Sequence, residues 1–75
     1  MTISYTAVFE QETNGGWAAY VPDLPTVVAS ADTREEAARL IREGIELYLE
    51  MLQEDGKPVP PAVFQVQQIE VLTHA

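Results

Sequence analysis

The sequence lacks cysteine altogether and contains a single histidine, His74. It can therefore form neither a disulfide framework nor a thiolate metal site, and this composition favours a reducing compartment. The usual nucleophile and base pairs of covalent catalysis are missing as well, because His74 lies one residue from the end of the sequence. We therefore expect neither catalysis by this chain nor a cofactor.

Basic residues are scarce, with four lysines and arginines against twelve acidic side chains and a formal net charge of -8. Contacts to phosphate groups require clustered lysine and arginine, so direct binding of nucleic acid is not expected. The charge favours a cationic partner, although acidity also serves simply to keep a small protein in solution.

Long apolar runs are also absent. No stretch approaches the ~20 residues needed to span a bilayer, and no basic segment followed by an apolar run marks an export signal. We expect a cytoplasmic protein without membrane contact. The 75 residues predict a single domain, 1–75, and a domain of this size buries only about 60% of its unfolded surface, which favours oligomerisation.

Alternation of apolar and polar residues predicts a hairpin of two strands. Residues 3–10 alternate with period two, and a second strand from about Trp17 to Val21 follows the turn signal Asn14-Gly15-Gly16. Residues 27–31 predict a short third strand after a corner that contains two prolines.

A helix is predicted from about residue 34 to 55. Two overlapping capping boxes can start it, Thr33 with Glu36 and Asp32 with Glu35. Apolar residues recur along it at three- and four-residue steps and form a broad stripe that can pack on a sheet. A glycine, a lysine and a proline in succession end it: Gly56, Lys57 and Pro58.

Residues 63–72 predict a last strand. The alternation of its apolar residues shifts by one position at Gln67-Gln68, as it does at a β-bulge. The fold class is therefore α+β, with two layers in the order β-β-β-α-β and one helix packed on one face of the sheet. A single helix leaves the other face uncovered, which makes that face a candidate interface. Its predicted members are Ser4, Thr6, Val8, Ala18 and Tyr20.

Ordered blocks along nearly the whole chain resemble the HicB family of bacterial antitoxins. The blocks are Gly15-Gly16-Trp17, Pro22-Asp23-Leu24-Pro25, Asp32-Thr33-Arg34-Glu35-Glu36-Ala37, Glu46-Leu47-Tyr48-Leu49 and Gly56-Lys57-Pro58-Val59-Pro60. The resemblance implies a ribonuclease H-like sheet with the last strand beside the first. The sequence departs from the family at Thr26-Val27, where Gly-Cys is common, and it ends without the DNA-binding segment of fuller antitoxins, so operator binding is not expected.

By this resemblance the chain is an antitoxin domain that binds and neutralises a small basic ribonuclease of the HicA type. A stand-alone homo-oligomeric HicB-like module without a toxin is the alternative.

A metal-dependent nuclease is a third hypothesis, but such enzymes need converging carboxylates to hold divalent cations. Residues 5–8 in the middle of the first strand carry none, and Glu10 lies at its end.

Six residues are predicted to form the partner or oligomer interface: Thr6, Val8, Ala18, Tyr20, Asp23 and Leu24. The first four follow from the uncovered face, and Tyr20 is the preferred contact. Asp23 and Leu24 follow from the corner, where flanking prolines hold an acid and a leucine rigid. For these two a structural alternative stands, in which Asp23 accepts backbone hydrogen bonds within the corner and Leu24 packs beneath the loop.

Overall fold

A computed structural model describes residues 2–74 and contains a three-stranded antiparallel sheet and one helix. The elements are β1 (Val8–Gln11), β2 (Trp17–Val21), β3 (Leu24–Ala31) and α1 (Arg34–Glu54). The strands lie in the order β1-β2-β3, so that β1 and β3 form the two edges of the sheet. The predicted α+β class and the three antiparallel strands are confirmed.

The hairpin between β1 and β2 turns at the predicted glycine pair. Gly15 has a φ of 91°, a left-handed conformation that glycine adopts without the steric cost of a side chain. The Glu12 amide donates to the Gly16 carbonyl at 2.8 Å, and the Gly15 amide donates to the Glu12 carbonyl at 3.0 Å. The Asn14 side chain accepts from the Gly16 amide at 2.9 Å, which fixes the turn further.

The connection between β2 and β3 is shorter than predicted. Val21 already pairs with Leu24, so β3 begins three residues before the predicted start at Val27. The pairing then shifts between Tyr20 and Val21, because Tyr20 lies opposite Val28. Pro25 is compatible with this strand because β3 is an edge strand, where a missing amide donor is tolerated.

Both ends of α1 follow the local signals in the sequence. Thr33 is the N-cap, and its hydroxyl oxygen accepts a hydrogen bond from the Glu36 amide at 3.1 Å. At the other end, Gly56 has a φ of 68°. The Gly56 amide donates to the Gln53 carbonyl and the Lys57 amide donates to the Leu52 carbonyl, the pair of bonds that defines a Schellman motif.

The hydrophobic core joins α1 to the sheet. Its buried cluster contains two residues from each of α1, β2 and β3: Ala37, Ile41, Ala19, Val21, Leu24 and Val27. Leu24 and Val21 are fully buried. Partly buried aromatic rings pack around the cluster, among them Phe9, whose ring lies 4.3 Å from the guanidinium carbon of Arg34. One face of the sheet is therefore directed at the helix.

Two predicted strands differ from the structure. β1 begins at Val8 rather than near Ile3, and residues 57–74 form no strand, so the predicted last strand beside the first is absent from the described chain. A strand requires a neighbour that supplies the hydrogen-bonded ladder. Among residues 2–74 the sheet ends at β1 on this side, and no strand pairs with residues 3–7 or 63–72.

Candidate partner-binding surface

The face of the sheet that points away from α1 carries an apolar row across all three strands. Val8 pairs with Tyr20, and Tyr20 pairs with Val28, so these three side chains lie side by side. The next row of the same face contains Glu10, Ala18 and Ser30. Because successive residues of a strand alternate between faces, the neighbours Phe9, Ala19 and Ala29 point to the core instead. We call this outer surface the open face.

Two apolar side chains of the open face, one on β2 and one on β3, are exposed. Tyr20 is 44% exposed and Val28 is 68% exposed, whereas Val8 and Ala18 are half-buried. The polar border includes Ser30, whose hydroxyl donates to the Glu12 carboxylate at 3.2 Å. An apolar centre with a polar border is the arrangement of protein docking surfaces.

Asp23 and Thr6 lie where the chain returns from the helix. The Asp23 carboxylate accepts hydrogen bonds from the amides of Val63 and Phe64 at 3.1 and 3.2 Å. The Thr6 hydroxyl donates to the Phe64 carbonyl at 3.2 Å. Both side chains therefore hold the C-terminal segment, and the amides that Asp23 accepts from belong to that segment rather than to the corner.

Tyr5 adds a third tie to the same segment. Its hydroxyl donates to the Pro60 carbonyl at 2.6 Å. Burial, followed by the negative charge of Asp23, raises the pKa of the Tyr5 phenol above its ordinary value. The phenol thus stays protonated and remains a donor to Pro60 throughout the neutral range.

The six predicted interface residues occupy three different places. Val8, Ala18 and Tyr20 share the open face, Thr6 and Asp23 hold the C-terminal segment, and Leu24 is fully buried in the core. The side chain of Leu24 therefore adds no accessible area to an interface in this structure. Sequence reasoning missed Val28, because the irregular pairing after Tyr20 sets the phase of β3. The adjacent pair Val27-Val28 was the available signal, since only one of two neighbours in a strand can face the core.

The outer side of α1 is acidic. Arg39 forms ion pairs with Glu36 and Glu43, and the hydrogen bond from Arg39 lowers the pKa of the Glu36 carboxyl. A shallow depression farther along the helix is lined by Glu43, Glu46, Leu47 and Glu50. Within residues 2–74 there is no group of three or more histidine, cysteine or acidic side chains that could hold a metal ion. The same residues contain no helix with both the length and the apolar character needed to cross a membrane.

Comparison with protein families gives one match along almost the entire chain. The model of a family described as the HicB_like antitoxin of bacterial toxin-antitoxin system matches residues 5–74. This range includes all three strands and the helix, together with the C-terminal segment that Asp23 and Thr6 hold. The match therefore covers both surfaces described above.

Individual relatives come from bacteria and archaea. A UPF0150 protein of Synechocystis is 39% identical over 69 residues, which cover 92% of this chain and 87% of the relative. A UPF0150 protein of Archaeoglobus fulgidus is 31% identical over 67 residues, which cover 87% of this chain and 97% of the relative. Antitoxin HicB 2 of Photorhabdus laumondii is 32% identical over 56 residues, which are 75% of this chain but 40% of that longer protein. No solved structure matches the chain.

Proposed function

The chain belongs to the HicB-like antitoxin family of bacterial toxin-antitoxin systems, and we propose that it binds and neutralises a small basic ribonuclease of the HicA type. The family match over residues 5–74 carries this proposal. A relative named Antitoxin HicB 2 supports it. In this role the chain acts by docking, and it needs neither catalytic residues nor a cofactor.

The charge of the chain supports a cationic partner. Its net charge is -8, and Glu43, Glu46 and Glu50 line one side of the helix. An acidic surface accelerates encounter with a basic protein and competes with RNA phosphates for the same lysines and arginines. Association should therefore slow as ionic strength rises, because salt screens the attraction between exposed charges.

The open face supplies the apolar part of the proposed contact. Val8, Tyr20 and Val28 lie in one row, and Tyr20 combines a large apolar ring with a hydroxyl. Tyrosine is enriched among residues that dominate binding energy at protein interfaces. We place the centre of the contact at Tyr20 and its acidic border on Glu10.

A stand-alone homo-oligomeric module is the second candidate function. It is favoured by the many large apolar side chains that the single chain leaves exposed, including Val63, Phe64 and Ile69. The two functions differ in the partner, because the module would self-associate and serve as an adaptor without a toxin.

Affinity purification from the native host, followed by mass spectrometry, distinguishes the two candidates. An antitoxin should retain a small basic protein, and adding the purified chain should abolish RNA cleavage by that protein. Recovery of the chain alone as a stable oligomer, with no neighbouring reading frame for a basic protein, would favour the module.

Two substitutions with similar starting exposure locate the contact. Tyr20→Asp should weaken toxin binding at least tenfold, since a carboxylate buried at an apolar interface loses its hydration. Val59→Asp is the control, because Val59 is 39% exposed and belongs to no strand of the open face, whereas Tyr20 is 44% exposed. Equal affinity of the folded Tyr20→Asp variant and the wild type would contradict this placement.

A further inference from the structure

A groove of about 300 Å³ lies between β3 and the second half of α1. Its lining consists of residues 26–28 of β3 and of Gly44, Leu47, Tyr48 and Met51 of α1. Three large apolar side chains of this lining are exposed, since Val28, Leu47 and Met51 have 68%, 66% and 48% of their surface in solvent. The groove is therefore apolar and open.

β3 borders this groove with an unpaired edge. It is the last strand in the order β1-β2-β3, so within residues 2–74 only one of its sides is hydrogen-bonded to another strand. Edge strands that avoid new partners carry charged side chains, prolines or bulges. β3 contains no charged residue, and Pro25 is its second residue, so residues 26–31 keep their amide donors. This edge can accept a further strand of six residues, which spans about 20 Å.

The half of α1 that forms the groove is acidic. All three arginines of the helix lie at or before Arg42, and the half that follows contains four glutamates and no basic side chain. Glu43 pairs with Arg39. Arg42 lies one turn before Glu46, but no lysine or arginine lies within four residues of Glu50 along the helix. This half of the helix therefore has an excess of negative charge, which favours a cationic occupant.

A strand added beside β3 would contact two different surfaces, because successive side chains of a strand point to opposite faces of the sheet. Those on the helix side would lie over Leu47 and Met51, with the carboxylates of α1 beyond. Lysine and arginine suit this position, since their apolar stems pack on apolar surface while their charged ends reach outward. Side chains on the other side would extend the row of Val8, Tyr20 and Val28, which suits apolar residues.

A second copy of the chain does not have this chemistry. Each copy has a net charge of -8. Joining two β3 edges would place the acidic halves of two helices on one face of a continuous sheet, where like charges repel. The charge therefore selects a basic protein as the occupant.

We propose that the β3 edge and this groove bind an extended segment of the basic partner, in which lysine or arginine alternates with apolar residues, and that this segment pairs with residues 26–31 as a fourth strand. In strand addition of this kind, main-chain hydrogen bonds provide affinity and alternate side chains provide specificity. Val28 belongs to both the open face and the groove lining, so the two form one continuous surface. The inference rests on the proposed function for the partner, and it adds which kind of segment binds and where.

A synthetic peptide tests the groove without the partner. The probe is the acetylated and amidated peptide Lys-Val-Lys-Val-Lys-Val-Lys-Val, titrated into the full chain at low salt and followed by amide NMR. It should shift the signals of residues 26–31 and 44–51. It should also bind at least about tenfold more tightly than the same peptide with glutamate in place of lysine, and more tightly than a peptide in which the lysines precede all the valines.

Two substitutions with equal starting exposure locate the binding. Leu47→Lys and Val63→Lys each add one positive charge, and both side chains are 66% exposed, so both variants should keep the fold, as circular dichroism can check. Leu47→Lys should weaken peptide binding at least about tenfold, because it places a cation where the lysines of the peptide must lie. Val63→Lys is the control and should bind as the wild type does, since Val63 is not part of the groove lining.

Several results would overturn the proposal. They are no binding of the alternating lysine peptide at millimolar concentration, shifts confined to residues outside 26–31 and 44–51, and equal losses in the two lysine variants. A wild-type dimer that only Leu47→Lys dissociates would assign the groove to a second copy and overturn it as well.

The same two variants separate this proposal from the proposed function. A basic protein recovered by affinity purification should bind Leu47→Lys at least about tenfold more weakly than Val63→Lys. Equal binding of both variants would overturn the groove and leave the proposed function intact. Failure to recover any basic protein would contradict the proposed function, and the peptide titration would then decide the groove by itself.

Discussion

Replacing Gly56 with alanine should destabilise the chain by about 1 kcal/mol, because a non-glycine residue pays this amount for a left-handed backbone conformation. Gly56 has a φ of 68° at the C-terminal end of α1. A Cβ placed there would meet no atom within 4 Å, so the cost arises from the backbone and not from a clash. The substitution thus isolates one physical effect.

The structure also indicates where the strain would act. The Gly56 amide donates to the Gln53 carbonyl at 3.1 Å, and the Lys57 amide donates to the Leu52 carbonyl at 2.9 Å. If the backbone relaxes toward negative φ to accommodate alanine, both hydrogen bonds are lost. The carbonyl of Leu52, a buried residue, then loses the Lys57 amide as its donor. Gly56→Asn should recover part of the loss, since asparagine tolerates this conformation better than alanine.

Equilibrium unfolding in urea, followed by circular dichroism, measures this effect. With a slope of about 1 kcal/mol per molar for a small domain, the midpoint should fall by about 1 M. All variants must be compared at one protein concentration, because any dimer makes the apparent stability depend on concentration. An unchanged midpoint for Gly56→Ala, or a lower midpoint for Gly56→Asn than for Gly56→Ala, would refute the reasoning.

Three further predictions concern the cap, the core and the tie to the C-terminal segment. Thr33→Ala removes the acceptor of the Glu36 amide and should cost about 1 kcal/mol in thermal unfolding, whereas Thr33→Ser should retain the wild-type stability. Leu24→Ala empties a fully buried site and should cost about 2–5 kcal/mol, enough to abolish the cooperative unfolding transition of so small a domain. The fold raises the pKa of Tyr5 above its ordinary value of 10.0. The stability that Tyr5 gains from this shift is therefore complete below pH 10.0, and it is lost as the pH rises through the pKa of the folded state. The free energy of unfolding should therefore fall in alkaline solution, and Tyr5→Phe should reduce that fall.

The features that the sequence predicts well depend on residues close together in the chain. The helix was expected from about residue 34 to 55 and is observed from Arg34 to Glu54, because its cap, its apolar period and its terminating glycine are all local. The hairpin turn at Gly15 is local for the same reason. The signals for these elements therefore lie within a few residues of the elements themselves.

The features that the sequence predicts poorly depend on pairing between distant segments. Val28 and Leu24 have similar apolar character, yet Val28 is 68% exposed and Leu24 is fully buried. Which of the two is buried depends on the register of β3 against β2, including the shift between Tyr20 and Val21. Period-two alternation predicts a strand, but it does not identify the neighbour that the strand requires.

The segments without a strand partner and the open face would therefore bind a partner through different chemical groups. Residues 3–7 and 63–72 have the alternating sequence of strands but form no ladder within residues 2–74, so a partner of either segment would have to bond its backbone groups. The row of Val8, Tyr20 and Val28 belongs to strands that are already paired, so an occupant there must make side-chain contacts rather than a new ladder. Because one surface is an edge and the other is a face, an occupant of the face does not use the backbone groups that a new strand at the edge would use.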